Sequence, residues 1–286
     1  METVGITEPL LDRDYQWLGS WFKKHPKTEL WAHDAGGPDL TDLAFLRWFH
    51  DLNRLRLDLA NLTDLNQLDH LPDTLGALDV GRSRREPSLR PLRRFAQLRR
   101  LGLERQHRDI DTVRELRQLE DIRLRSLTLD TLDTLGEMNH LRRLEIAFGG
   151  TKNITAVQDM SSLRDLELVQ IRGFTDLGPA ANNEHLGTLS VFGMPHAALP
   201  QDWTRARGLR TLTINTMKGV ADLRPLTTAP SLVEVNLIAM QHLRPEDLRP
   251  LLDVPGLQRV WYGLGSDKKN HQAAAVLGHL APRQWR

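Results

Sequence analysis

The sequence predicts an α/β solenoid: a curved parallel β-sheet on a concave face and short helical or 3₁₀ segments on a convex face. Two observations carry this. The pattern apolar-x-x-apolar-x-apolar occurs ten times at steps of 21 to 25 residues, beginning at Leu52, Leu75, Leu98, Leu119, Leu141, Leu163, Leu186, Leu209, Leu232 and Leu257. Between these copies a second rhythm runs, with apolar residues every third position, as in Leu65-Leu68-Leu71 and Leu89-Leu92-Phe95. A repeat of that length is one supersecondary unit that buries its apolar face only by stacking on its neighbours.

The strand comes first in each copy. Its fourth and sixth positions are apolar and the third and fifth mostly polar, the period of a half-buried strand. Consecutive strands about 22 residues apart leave room for a crossover segment and so stack in parallel. An eleventh, degenerate copy falls at Glu29-Leu30-Trp31-Ala32.

The convex segment comes second. A spacing of three suits a 3₁₀ turn or a very short α-helix. Directly before the first apolar residue stands Asp64, Ser88, Asp109, Thr131, Asn153, Asp176, Asp222 or Asp247. These side chains accept hydrogen bonds from the free N–H groups at a helix start. Ala198, before Leu199, is the exception. His107-Arg108-Asp109 imitates the start of a kinase catalytic loop, but Arg114 stands where that loop requires Asn, so Asp109 is expected to be a cap.

The ends require covers. Residues 1–26 are expected to form an N-terminal helical cap, with Trp17, Trp21 and Phe22 at helical spacing and Trp17, Trp21 and Trp48 in the core or cap. Residues 265–286 are expected to form a C-terminal helical cap carrying Ala273, Val276, Leu277 and Leu280. Repeats fill 27–264, the degenerate one occupying 27–51, within one structural domain.

The pattern over residues 27 to 264 resembles the leucine-rich repeat family, in its short 22-residue bacterial, internalin-like form. The resemblance implies a protein-interaction module. The family places Asn nine residues after the first Leu; here Asn61 fits, but Arg84, His107, Thr128, Gly150, Arg172, Pro195, Lys218 and Gln241 do not. Without that Asn ladder, less regular turns are expected after the strands.

Composition excludes several classes of function. There is no cysteine, hence no disulfide, thiolate nucleophile or Cys-ligated zinc. A formal charge of +1 gives no global attraction to nucleic acid. The eleven histidines form no metal-binding pair, and no phosphate-binding or nucleophile motif is present, so no enzyme activity, cofactor or metal is expected. The N-terminus has no signal-peptide pattern and no apolar run reaches membrane-spanning length, which points to the cytoplasm. Basic residues are mostly Arg (31, against 7 Lys), as in GC-rich, bacterial coding.

The outward strand positions form columns. One zone alternates in sign, through Arg100, Asp121, Arg143 and Asp165, with Arg123 and Glu145 alongside. A second is mostly uncharged: Ser190, Phe192, Thr213, Asn215, Asn236, Ile238 and Trp261. Hydroxyls and amides cost less to desolvate than ions, and exposed aromatics anchor partners. The second zone is therefore the preferred site for a protein partner, with Arg123, Arg143 and Glu145 as a charged flank. Trp261 folding over the C-terminal cap is the competing placement. The expected function is non-catalytic recognition of a macromolecule, of inhibitor or immunity type. The alternatives are nucleic-acid binding through the eight arginines between Arg82 and Arg100, or a regulatory subunit of an enzyme. No exposed aromatic interleaves those arginines, which disfavours the former.

Overall fold

A computed structural model describes residues 2–35 and 40–282. Met1, positions 36–39 of the degenerate repeat and 283–286 of the expected C-terminal cap lie outside the described residues. The contacts divide the chain into two compact units, Met1–Leu127 and Thr128–Arg286. The physical reason is that each turn of a repeat array touches mainly its sequence neighbours.

The first unit carries β1 (Thr3–Ile6), α1 (Asp12–Lys24), β2 (Glu29–His33), β3 (Arg54–Asp58), β4 (Ala77–Val80), β5 (Arg100–Glu104) and β6 (Asp121–Arg125). Its strands are parallel and paired in chain order. Short 3₁₀ segments such as Asn66–His70 and Arg90–Arg94 join them. β1 was not expected: the N-terminal 26 residues contain a strand as well as the helix. Its Val4 and Ile6 pair in register with Leu30 and Ala32.

The second unit carries α2 (Asp133–Gly136), β7 (Arg143–Ala147), β8 (Asp165–Val169), α3 (Gly178–Ala181), β9 (Thr188–Phe192), β10 (Thr211–Asn215), β11 (Glu234–Ile238), β12 (Arg259–Tyr262) and α4 (Asp267–Leu277). Its strands are likewise parallel and sequential. α4 begins at Ser266, whose hydroxyl accepts from Lys269 N, an N-cap in its usual geometry.

In both units the core lies between the sheet and the 3₁₀ layer. In β9 to β11 burial alternates along the strand, so that Leu189, Val191, Leu212, Ile214, Val235 and Leu237 are fully buried while their neighbours face out. From the other side Leu68, Leu92, Val113, Val157 and Leu226 close the core. This is the arrangement that defines a leucine-rich-repeat solenoid.

The missing Asn ladder is replaced by the backbone. The residue that follows the strand takes a left-handed conformation at Arg105, Ser126, Phe148, Gln170, Gly193, Thr216 and Ala239, with φ from 46° to 65°. Its N–H donates to the last carbonyl of the next strand, as in Phe148 to Val169 at 2.9 Å, Gln170 to Phe192 at 2.8 Å and Thr216 to Ile238 at 3.0 Å. From β5 to β11 the turns therefore share one backbone conformation, and a main-chain bond does there what the Asn side chain does elsewhere.

Asp64, Ser88, Thr131, Asn153, Asp176 and Asp222 each accept from the backbone N–H two residues on, an Asx- or ST-turn geometry. Asp247 instead reaches back to the N–H of Arg244 at 2.8 Å. Ala198 is compensated by Asp202, which accepts from Thr204 N at 2.8 Å just before the buried Trp203. Asp109 is a correction. It is left-handed itself (φ 61°) and its side chain caps nothing; it accepts from Ser88 Oγ and pairs with Arg90. Ile110 is consequently only half-buried.

Trp17 is a second correction, at 65% exposure. The inward stripe of α1 runs through Tyr15 and Phe22, which pack on Phe45 and Phe49. Trp21 is half-buried and stacks on His25 at 3.8 Å. Trp48 is half-buried.

Candidate functional site

On the outward strand faces the repeat places side chains in fixed register. In the first unit that face is a charged network. Trp31 stacks on His33 at 3.8 Å, lies under the Arg56 guanidinium at 4.8 Å and donates from Nε1 to Asp58 at 2.7 Å. Arg56 Nε also donates to Asp58 at 2.7 Å. Arg100 and Arg123 converge on Asp121 at 3.5 and 3.4 Å.

Asp79 sits between these groups over an open recess of about 320 Å³, lined also by Glu29, Arg56, Arg100 and Arg123. Burial raises its pKa above the ordinary value, against the opposing pull of Arg123, Arg100 and Arg56. Glu29 is raised too, first by burial and then by the Asp79 charge. The groups are thus largely engaged with one another, and Arg123 belongs to this network.

Five of the eight arginines between Arg82 and Arg100 are likewise paired with acids. Arg90 pairs with Asp109, Arg93 with Glu115, Arg94 with Asp69 and Asp73, Arg99 with Glu120, and Arg84 donates to Asn61. Acids one repeat away in sequence supply what the linear run lacks.

In the second unit the face changes character. Ser190, Thr213, Asn236 and Trp261 occupy one column in direct register, and Phe192, Asn215 and Ile238 the next. Ile238 and Trp261 are each 44% exposed, and the rest are half-buried. Asn236 Nδ2 donates to Thr213 Oγ1 and Glu234 Oε1, both at 3.2 Å. Glu234 is neutralised by Arg259 at 2.9 Å. Next to Trp261, Tyr262 is buried and donates from its hydroxyl to the Asn270 carbonyl at 3.3 Å.

Of the charged flank, Arg143 and Glu145 lie on β7. Glu145 is on the same face but only 8% exposed, so it is a covered carboxylate; β8 sets Glu167 directly beside it. Arg143 is exposed and in register with Asp165, yet among the described residues no ion pair joins them. Sequence reasoning missed Phe148, 49% exposed at the strand exit. Its signal was present: it is the one aromatic among the seven residues at the left-handed position.

No family model matches the chain, and no curated protein does. Among solved structures it is similar to an internalin from Listeria monocytogenes, with a TM-score of 0.51, 16% identity and coverage of 91% of this chain and 81% of that one. A leucine-rich-repeat protein from Leptospira interrogans aligns at a TM-score of 0.48 and 15% identity, over 98% and 88% of the two chains. At this identity the internalin establishes the fold. Among the described residues no helix is long and apolar enough to cross a membrane.

Proposed function

We propose that the chain is a non-catalytic protein-recognition module whose binding surface is the outward face of β9 to β12. One observation carries this: Ile238 and Trp261 each keep 44% of their surface exposed on a rigid strand face. Around them Ser190, Thr213, Asn215 and Asn236 are uncharged. Such groups are cheaper to desolvate than ions, and a partly exposed aromatic set among them is the composition of a protein-binding anchor. The finer form of the reading, an inhibitor or immunity-type protein, rests on analogy with binding modules of this fold.

The test is partner capture with the intact chain against Trp261→Ala and Phe192→Ala. One protein recovered by the parent chain and lost with both variants supports the reading. Recovery unchanged by either substitution removes this face as the site. A nucleic-acid ligand released steeply by added salt supports the arginine-rich segment instead, although the pairing of Arg90, Arg93, Arg94 and Arg99 speaks against it.

A further inference from the structure

β8 presents two carboxylates, Asp165 and Glu167, two residues apart on the outward face of the second unit. Both are half-buried, and among the described residues neither accepts a hydrogen bond nor forms an ion pair. Glu234, on the same face, shows the contrast, being held by Arg259 and Asn236. Glu167 also stands in register with Glu145, a like-charge neighbour that a sheet normally avoids. Among the described residues neither carboxylate is held by a direct partner, and Arg143 is the cation in register with Asp165.

The surroundings are apolar. Two residues along β8 from Glu167, about 6.6 Å away, Val169 lies in register with Phe192, and both are half-exposed. Phe148, 49% exposed, hydrogen-bonds from its N–H to the Val169 carbonyl and so stands at the same edge. Phe148 holds a left-handed backbone at φ 59°, a conformation that costs a side-chain-bearing residue energy.

We propose that this part of the face receives a protein segment in which a Lys or Arg is flanked by apolar side chains. The cation meets Asp165 and Glu167, and the apolar groups seat on Val169, Phe192 and Phe148. Charge complementarity selects this occupant: an acidic segment or a phosphate backbone meets repulsion at Asp165 and Glu167. Water excluded by the apolar border strengthens the charge-assisted bonds within it. The inference rests on the protein-binding reading above and specifies the chemistry of that partner.

The experiment pans a random peptide library displayed on phage against the whole chain, then measures the selected peptides against variants. The expected result is enrichment of Lys or Arg next to apolar residues. Affinity for those peptides then falls about tenfold or more in the Asp165→Asn, Glu167→Gln double variant, with unchanged melting temperature, and weakens with added salt. Enrichment of acidic or uncharged peptides, no enrichment, or equal binding by the double variant overturns the inference. If such peptides still lose affinity on Trp261→Ala or Ile238→Ala, the protein-binding reading stands without it. If no substitution on this face matters, both fail.

Discussion

Asp79 lies over Gly102, its register partner on the next strand, so closely that a Cβ built on Gly102 would overlap Asp79 Oδ1. A side chain at this position therefore obliges the Asp79 carboxylate to move, while the glycine's own backbone angles are ordinary. Gly102→Ala is expected to destabilise the chain by about 1–3 kcal/mol, the usual cost of overpacking. Adding Asp79→Ala removes the clash, so the double variant recovers part of the loss. Strict additivity of the two effects in denaturant unfolding would show that the contact is not the cause.

Asp79 also sets a pH dependence. Its folded-state pKa is raised above 3.8, chiefly by burial. Between 3.8 and the folded value the native chain binds more protons than the unfolded chain. The favourable contribution of the protonated form is complete below 3.8 and is lost as pH rises through the folded value. Asp79→Asn removes the buried charge, so it is expected to be more stable than the parent chain at pH 7. That advantage shrinks as pH falls toward 3.8. A Tm difference that stays constant with pH would contradict the assignment.

Phe148 offers a trade between stability and binding. At φ 59° a glycine is unstrained where phenylalanine is not. Phe148→Gly is expected to raise stability by about 1 kcal/mol while weakening the peptides selected on the Asp165–Glu167 face. Lower stability would show that packing of the ring outweighs the backbone strain.

These cases mark what the sequence discloses. Period-2 alternation is a one-dimensional signal, so the outward placement of Ile238 and Trp261 and the burial of Leu237 and Val260 could be read directly. Asp202 was hidden because its repeat shifts the turn four residues beyond Ala198. Trp17 was misplaced because Trp17-Trp21 and Tyr15-Phe22 are both helical spacings, and only the position of Phe45 and Phe49 decides which faces in. The covered state of Glu145 and the unpaired state of Asp165 depend on side-chain directions across strands, which spacing does not encode.

Asn183 is another residue with no one-dimensional signature, and it is fully buried. Its Nδ2 donates to the carbonyls of Val157 (2.6 Å) and Met160 (3.1 Å), and its Oδ1 accepts from His185 N (2.8 Å) and Leu186 N (2.9 Å). The amide thus uses both donors and accepts twice while tying consecutive repeats together. Asn183→Ala strands those backbone groups and is expected to cost at least about 3 kcal/mol. Asn183→Asp is expected to be no better, because a carboxylate then faces two carbonyl oxygens. A loss below about 1 kcal/mol on urea unfolding would mean that water replaces the side chain.

Leu237 and Ile238 are adjacent on β11 and separate the scaffold from the surface it presents. Leu237 is fully buried and Ile238 is 44% exposed. Leu237→Ala is expected to cost about 2–5 kcal/mol through lost transfer energy and a residual cavity. Ile238→Ala removes a similar number of atoms from a half-solvated site, and its cost is expected to stay within about 1 kcal/mol, the range of strand preferences. The order reverses for binding. At a temperature where both variants are folded, Leu237→Ala retains affinity for the captured partner because the outward side chains keep their register. Ile238→Ala loses affinity because it removes an anchor next to Asn215 in the exit column. Equal losses of binding in the two variants would show that general weakening of the repeat, rather than contact at Ile238, controls recognition.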